Sequence, residues 1–275
     1  MVFESINDAQ KAERHPWEML LVGVLYSSLA VIISLLVFKE HASLVMIFLT
    51  VLASVHLMYN VIKLEEKKDL DIKEEKVLMS EHWKALKLFV FLFIGFTLSY
   101  SAWYVILPHE TSTHLFSSQI ATIKEINNPG QVHIGNAVQA KSMLSEIFFN
   151  NLKVLVLCAF FAFFYGVGAI FILTWNASVV GAAIGTFVES LGGSVWSAYL
   201  AAMLRYFTHG IPEMAAYFMA GLGGGIISFA IIRHDFGSDK FKRIALDSAD
   251  LLIGAVFLLF LAAVIEVFLT PLLFA

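Results

Sequence analysis

Seven apolar stretches fill most of this 275-residue chain, and each is long enough to cross a lipid bilayer as a helix. Their bounds are Met19–Phe38, Leu44–Ile62, Ala85–Leu107, Leu152–Thr174, Ala177–Phe207, Ile211–Ile232 and Asp250–Pro271. A hydrocarbon layer of about 30 Å needs about 20 helical residues. Hydrophobic residues make up 59% of the chain, far more than in a soluble globular domain. The sequence therefore predicts an all-α, polytopic membrane protein with about seven crossings.

The fifth stretch, 177–207, is longer than one crossing requires, and Gly192-Gly193 divides it. A glycine pair weakens a helix at the point where it occurs. The stretch is therefore either one kinked crossing or a re-entrant hairpin, and its hydropathy leaves both alternatives open.

The distribution of basic residues predicts which side of the membrane each loop faces. With the N-terminus inside, the inner segments hold thirteen of the 18 Lys and Arg residues, and the outer segments hold five. Cytoplasmic loops of membrane proteins are enriched in these residues. The sequence thus predicts an N-terminus inside and a multi-pass protein of the cell membrane.

Composition also limits the partners and cofactors. The formal net charge is −4, which gives no general attraction to nucleic acid. Cys158 is the only cysteine and lies in an apolar run, so disulfides within the chain and thiolate metal sites are excluded. The partner that composition itself indicates is the lipid bilayer.

The apolar stretches divide the chain into three parts. Residues 1–107 form an N-terminal three-helix membrane part with a cytoplasmic charged segment, 63–84. Within Lys63–Lys76, Glu and Lys recur at i,i+4 spacing, which favours a solvated helical extension over a docking arm. Residues 108–149 form an external amphipathic hairpin, with a turn at Asn128-Pro129-Gly130, that either caps the bundle or receives a partner. Residues 150–275 form the C-terminal membrane core.

Pairs of glycines occur at helix-packing spacing in this core. Gly181 with Gly185, and Gly221 with Gly225, have the Gly-x-x-x-Gly spacing that lets two helix backbones approach closely in lipid. The pairs predict close helix packing within one subunit or, as the alternative, a homodimer contact or a sliding gate.

Polar residues that remain in or beside the apolar stretches are the candidate functional groups, because a charged side chain in lipid costs about 2.5–3.5 kcal/mol. In the predicted topology, an intramembrane polar cluster near the outer leaflet consists of Asn150, Asn151, Arg205, His209, Glu213 and Glu266. The cluster has either a structural role or a role in proton or ion passage. In the structural alternative, Pro212 and Glu213 start a helix and Arg205 pairs with Glu213. In the other, His209 and the carboxylates relay protons or ions.

Two further hypotheses concern metal binding and transport. His209, Glu213 and Glu266 offer an imidazole and two carboxylates, which can hold a divalent metal such as zinc. Such a site would make the chain a metal-dependent intramembrane enzyme, although no nucleophile motif assigns a catalytic residue. Glu189, predicted to lie mid-membrane just before Gly192, is the candidate carboxylate of a proton- or ion-coupled transporter.

The C-terminal half contains a series of motifs in a fixed order: Asn150-Asn151, Gly166-Val167-Gly168, Asn176, Gly181, His209-Gly210-Ile211-Pro212-Glu213, Gly221–Gly225, and Glu266 followed by Pro271. In these motifs the chain resembles the stage II sporulation protein M family of integral membrane proteins, from about Ser145 to the C-terminus and more loosely before it. The resemblance implies a membrane scaffold which, in spore formers, works with cell-wall hydrolases during engulfment. The resemblance implies that Asn151, His209, Glu213 and Glu266 are the functional residues that this chain shares with the family. The charged segment 63–76 does not match the family pattern.

We therefore expect a non-enzymatic integral membrane scaffold or permease-like component. It would recruit partner proteins, either as a homodimer or together with other membrane or surface proteins. The metal-dependent intramembrane enzyme and the proton- or ion-coupled transporter are the alternatives.

Overall fold

The computed structural model describes residues 9–72, 74–126, 137–165, 168–191, 195–233 and 237–274, which form helices and no strand. The α-helices are α1 Ala9–Arg14, α2 Glu18–Val37, α3 Ala42–Asp71, α4 Glu75–Ile106, α5 His109–Leu115, α6 Ser117–Ile126, α7 Ala137–Tyr165, α8 Ala169–Leu191, α9 Val195–Arg233, α10 Asp239–Val264 and α11 Thr270–Leu273. A 3₁₀ turn, Lys39–His41, precedes α3, and a π-helix, Ile265–Leu269, joins α10 to α11. The all-α prediction is confirmed.

Seven helical runs of the described chain are long and apolar enough to cross a bilayer, as predicted: α2, α3, α4, α7, α8, α9 and the run from α10 to α11. We call the end of the bundle that holds the α3–α4 connection the inner end, and the end that holds α5 and α6 the outer end. These names follow the predicted orientation, which stays a prediction from the basic residues.

The predicted bounds of the fourth, fifth and sixth stretches are wrong. The helix α7 ends at Tyr165, and α8 ends at Leu191. The helix α9 then runs without interruption from Val195 to Arg233, with Pro212 inside it. The predicted break before Ile211 is therefore absent, and the predicted fifth stretch is divided between two separate helices.

Proline explains the error in the sixth stretch. It is favoured in a first helical turn, which made Pro212 a plausible start of a helix. Inside a membrane bundle, however, a helix continues through proline when its neighbours satisfy the freed backbone groups. Residues 214–220 are all buried against such neighbours. Several predicted features, namely the turn at Asn128-Pro129-Gly130, Gly166, Gly192 and Gly193, lie outside the described residues.

A reciprocal glycine contact holds α2 against α4. A Cβ atom added to Gly23 would lie 2.5 Å from the backbone oxygen of Leu92, and one added to Gly95 would collide with the backbone oxygen of Leu20. No side chain fits at either position, so the two backbones are in direct contact. This pair was not among the predicted packing glycines, because its members lie on different helices and have no shared spacing.

The predicted glycine pairs pack within the chain. Their contacts are Gly181 with Tyr100, Gly185 with Tyr104, and Gly221 with Ala169. A Cβ atom added to Gly181 would lie 2.8 Å from the Cβ atom of Tyr100, so α8 lies close against α4. Gly225 is buried as well. These contacts support the first predicted role, close packing within one subunit.

The start of the predicted external hairpin, α5 and α6, packs on the outer end of the bundle. Phe116 and Gln119 are fully buried, and Ile120 packs against the core. The hydroxyl of Ser43 in α3 donates to Gln119 Oε1 at 3.0 Å, and Gln119 Nε2 donates to the hydroxyl of Ser178 in α8 at 3.1 Å. The described part of the hairpin therefore caps the bundle and links two of its long helices.

Candidate functional site

Three of the predicted cluster residues lie on two neighbouring helical runs. Glu213 is 20 residues from the end of α9 at Arg233, and Glu266 is 27 residues from the start of α10 at Asp239. At 1.5 Å per residue, these positions are about 30 Å and about 40 Å along their helices from the inner end. His209 lies one helical turn beyond Glu213.

Polar contacts join α9 to the run from α10 to α11 at these residues. The hydroxyl of Tyr217, a fully buried residue, donates to Glu213 Oε1 at 2.8 Å. The Glu213 and Glu266 carboxylates are close enough to interact electrostatically. One turn further along, the Thr270 hydroxyl lies 3.4 Å from His209 Nδ1. The prediction that the histidine–glutamate segment and the late glutamate share one region is supported by these contacts.

Of the other predicted members of the cluster, Arg205 interacts electrostatically with His209, whereas no contact joins Asn150 or Asn151 to the cluster within the part of the chain that the structure describes. Asn150 is exposed and Asn151 is half-buried, because adjacent residues of a helix point about 100° apart. The guanidinium of Arg205 lies over the ring of Phe187, 5.6 Å from its centroid. The predicted ion pair between Arg205 and Glu213 is therefore wrong.

The metal hypothesis does not fit the arrangement of side chains. Among the described residues, no three His, Cys, Asp or Glu side chains are placed so that they could hold a metal ion. His209, Glu213 and Glu266 thus do not form the predicted three-ligand site. Cys158, buried and unpaired, is not part of such a group either. The intramembrane metalloenzyme loses the site on which it depended.

Glu189 lies near the end of α8 rather than in the middle of a crossing. It is two residues from the last residue of that helix, and its side chain is exposed. Glu189 Oε1 lies 3.4 Å from Nδ1 of His109, the first residue of α5 at the outer end. The predicted mid-membrane position of Glu189 is wrong, because α8 ends at Leu191, whereas the predicted fifth stretch continued to Phe207.

A second group of ionisable side chains, missed by the sequence analysis, lies at the inner end. We call Glu13, Glu65, Lys68, Asp69 and His82 the inner charge network. Glu65 and Asp69 are fully buried, and the exposed fractions of His82 and Glu13 are 2% and 7%. The prediction that Lys63–Lys76 is a solvated extension is therefore wrong for this face of α3.

Short contacts connect the members of the inner charge network. Lys68 Nζ donates to Glu13 Oε2 and to Glu65 Oε1, both at 2.6 Å. The ring nitrogens of His82 lie 2.6 Å from Glu65 Oε2 and 3.1 Å from Asp69 Oδ1. The second contact has an ion-pair distance but poor alignment, so neither Asp69 carboxylate oxygen has a hydrogen-bond donor within the described chain. The network joins α1, α3 and α4.

The helix α10 approaches the same network. Arg243 donates to the backbone oxygen of Ile72, just after α3, and its Nε lies 4.0 Å from Asp247 Oδ2. Asp247 in turn interacts electrostatically with Asp69 and His82. Charged groups from four helices therefore meet at the inner end.

Burial in the inner charge network changes the pKa of Glu13, which lies outside the membrane-spanning helices. Burial raises the pKa of its carboxyl group from 4.5 to about 8, and the neighbouring Glu65 carboxylate adds to the rise. Lys68 acts in the opposite direction but does not cancel the effect. The structure therefore favours a protonated Glu13 at neutral pH.

Comparison with known proteins places most of the chain within a family. The family model described as Stage II sporulation protein M matches residues 85–271, about two thirds of the chain. The matched part contains His209, Glu213 and Glu266, whereas every member of the inner charge network precedes it. No curated protein and no solved structure gives a match.

Proposed function

The chain belongs to the stage II sporulation protein M family, and we propose that it is a permease-like component of the cell membrane whose paired carboxylates bind a proton or a small cation. The observation that carries this proposal is the closeness of Glu213 and Glu266, which come from different helices. Both side chains are half-buried.

Charge compensation is the first reason. An ionised carboxylate in the membrane costs about 2.5–3.5 kcal/mol, and two that lie close together disfavour each other's ionised form. In the described chain no Lys, Arg or His forms an ion pair with Glu213 or Glu266, and Arg205 is directed to Phe187. The Tyr217 hydroxyl supplies only one neutral hydrogen bond. A bound proton or cation would supply the missing positive charge.

The backbone gives the second reason. Pro212 lies inside α9 directly before Glu213, and Glu266 lies in the π-helix Ile265–Leu269. A π-helical turn is an uncommon irregularity that is frequent at functional sites. Polar residues inside membrane helices often mark ion or substrate pathways. Both helical runs thus depart from regular backbone hydrogen bonding at or beside their carboxylates.

Reconstitution into liposomes tests the proposal. With a membrane potential imposed by potassium and valinomycin, we expect uptake of protons or Na⁺, measured with internal indicator dyes. Glu213→Gln and Glu266→Gln should abolish the uptake. Glu189→Gln is the matched control and should retain it, because Glu189 is exposed and lies at the end of a helix. Uptake by the wild-type protein equal to that of empty liposomes, or full uptake by Glu213→Gln, would reject the permease-like role.

Recruitment of partner proteins is the second candidate function, and the surface of α7 favours it. In the crossing 140–164, 17% of the residues in the most apolar 18-residue segment are buried inside the structure. In the other six crossings of the described chain, this share is 33–83%. Four phenylalanines on α7 are exposed: Phe149, Phe160, Phe161 and Phe164. The face of α7 that carries these phenylalanines points away from its own bundle and leaves room for a second copy or another membrane protein.

A photoreactive residue in place of Phe160 tests this surface in intact cells. Leu36 of α2, which is also exposed, is the matched control position. Adducts formed at position 160 and not at position 36 would support recruitment through α7. Equal labelling at both positions, or no protein adduct at either, would remove this candidate.

A further inference from the structure

The short helix α1 depends on the bundle for its structure. It has six residues, too few to be stable as an isolated helix in water. It packs against α3 and α4, where Ala12 is fully buried and Glu13 nearly so. The interactions of these side chains therefore decide whether α1 stays in place.

Glu13 has one carboxylate oxygen with a donor and one without. Lys68 donates to Oε2 at 2.6 Å, whereas Oε1 is buried and has no hydrogen-bond donor in the described chain. The Glu65 carboxyl group lies within hydrogen-bonding reach of Glu13. Two ionised carboxylates can only accept hydrogen bonds, so a bond between them requires a proton on one of them.

The surrounding charges do not supply an alternative donor. Glu65 and Lys68 on α3 are the charged groups that act on Glu13. The elements that meet there also carry Lys11 and Arg14 on α1, Glu66 on α3, and Glu81 and His82 on α4. Lys68 is shared with Glu65 and lies 3.4 Å from Glu81, and His82 is engaged by Glu65 and Asp69. The positive charges beside Glu13 on α3 and α4 are thus divided among several carboxylates.

We propose that Glu13 and Glu65 share one proton, and that this proton latches α1 onto the inner ends of α3 and α4. When the proton leaves, two buried carboxylates face each other and α1 is released. The latch is independent of the permease-like role, because its residues lie before the family-matched part of the chain.

The direction of the pH dependence follows from Glu13. Its pKa is about 8 when α1 is docked, against 4.5 for the exposed side chain. The docked state therefore holds one more proton than the released state between these two values. The ratio of docked to released molecules should fall by about tenfold per pH unit across that interval and level off above it. Docking is thus strongest in acid and is lost as the pH rises through about 8.

Distances between two spin labels can follow this release. We would place the labels at Gln10 in α1 and at Val77 in α4, in the full chain in lipid nanodiscs, with Cys158→Ala to avoid a third label. Both labelled side chains are exposed. A narrow distance distribution is expected at pH 6, and a growing, broader component at longer distance is expected towards pH 9.

Two variants make the experiment specific. Glu13→Gln supplies an amide N–H for Glu65 and an oxygen for Lys68, so α1 should stay docked from pH 6 to pH 9. Glu40→Gln changes an exposed carboxylate elsewhere and should keep the wild-type pH profile. A wild-type distribution that does not change with pH would overturn the proposal, and so would a pH response that persists in Glu13→Gln.

Discussion

Replacement of His82 by alanine should strongly destabilise the protein. The ring of His82 joins α4 to α3 through contacts of 2.6 Å to Glu65 and 3.1 Å to Asp69. Both of these carboxylates are fully buried. After His82→Ala, Glu65 keeps Lys68 as its donor, but Asp69, whose oxygens have no hydrogen-bond donor in the described chain, also loses its ion-pair contact with the imidazole ring.

The expected loss follows from that unpaired carboxylate. Removal of one partner of a buried ion pair costs about 3–5 kcal/mol, because the other charge stays buried. A typical domain has a free energy of unfolding of about 5–15 kcal/mol, so the change is a large part of the total. Adding Asp69→Asn to His82→Ala removes the uncompensated charge and should restore about 1–3 kcal/mol.

The free energy of unfolding can be measured by SDS titration in mixed micelles, with tryptophan fluorescence as the signal. His114→Ala is the matched control, since this histidine is exposed on α5 and its loss should change the value by less than about 0.5 kcal/mol. A loss in His82→Ala no larger than in His114→Ala would refute the structural role of the inner charge network.

Other substitutions test the packing contacts. Gly95→Leu should cost at least about 1–3 kcal/mol, because its side chain would enter the backbone of α2. Gly210→Ala has open space around the new Cβ atom and should leave the free energy of unfolding unchanged or raise it by up to about 1 kcal/mol. Thermal unfolding in detergent compares the two variants, and equal midpoints for Gly95→Leu and Gly210→Ala would contradict the packing argument. Gln119→Leu removes the side-chain bonds to Ser43 and Ser178 and should cost about 1–3 kcal/mol. Amide exchange in α6 should then become faster, and unchanged protection would count against the cap.

The number of crossings could be predicted from the sequence because apolar length is a local property. The boundaries in the C-terminal core could not, because packing decides them. Pro212 resembles the start of a helix when only its neighbours in sequence are considered. In the folded chain, the buried face of α9 from Met214 to Ala220 continues the helix that begins at Val195.

The grouping of His209 with Glu213 could also be predicted, because it depends on local spacing in the sequence. His209 and Glu213 are four residues apart and share a helix face whether or not the helix starts nearby. The inner charge network gave no such signal. Glu65 and Asp69 are also four residues apart, but they lie among opposite charges at i,i+4 spacing, such as Asp69 and Lys73, which are typical of a solvated helix. Their burial depends on His82, which the turn between α3 and α4 brings back against them.

Pro212 changes the hydrogen bonding of its own helix. Proline has no amide hydrogen, so the carbonyl oxygen of Thr208 lacks the donor that a regular helix would provide four residues later. This oxygen lies on the turn that carries His209 and leads to Glu213. It is neutral at every pH, unlike the two carboxylates, whose charge disappears on protonation. Acidification therefore leaves this carbonyl oxygen able to accept a hydrogen bond from water or from a polar side chain.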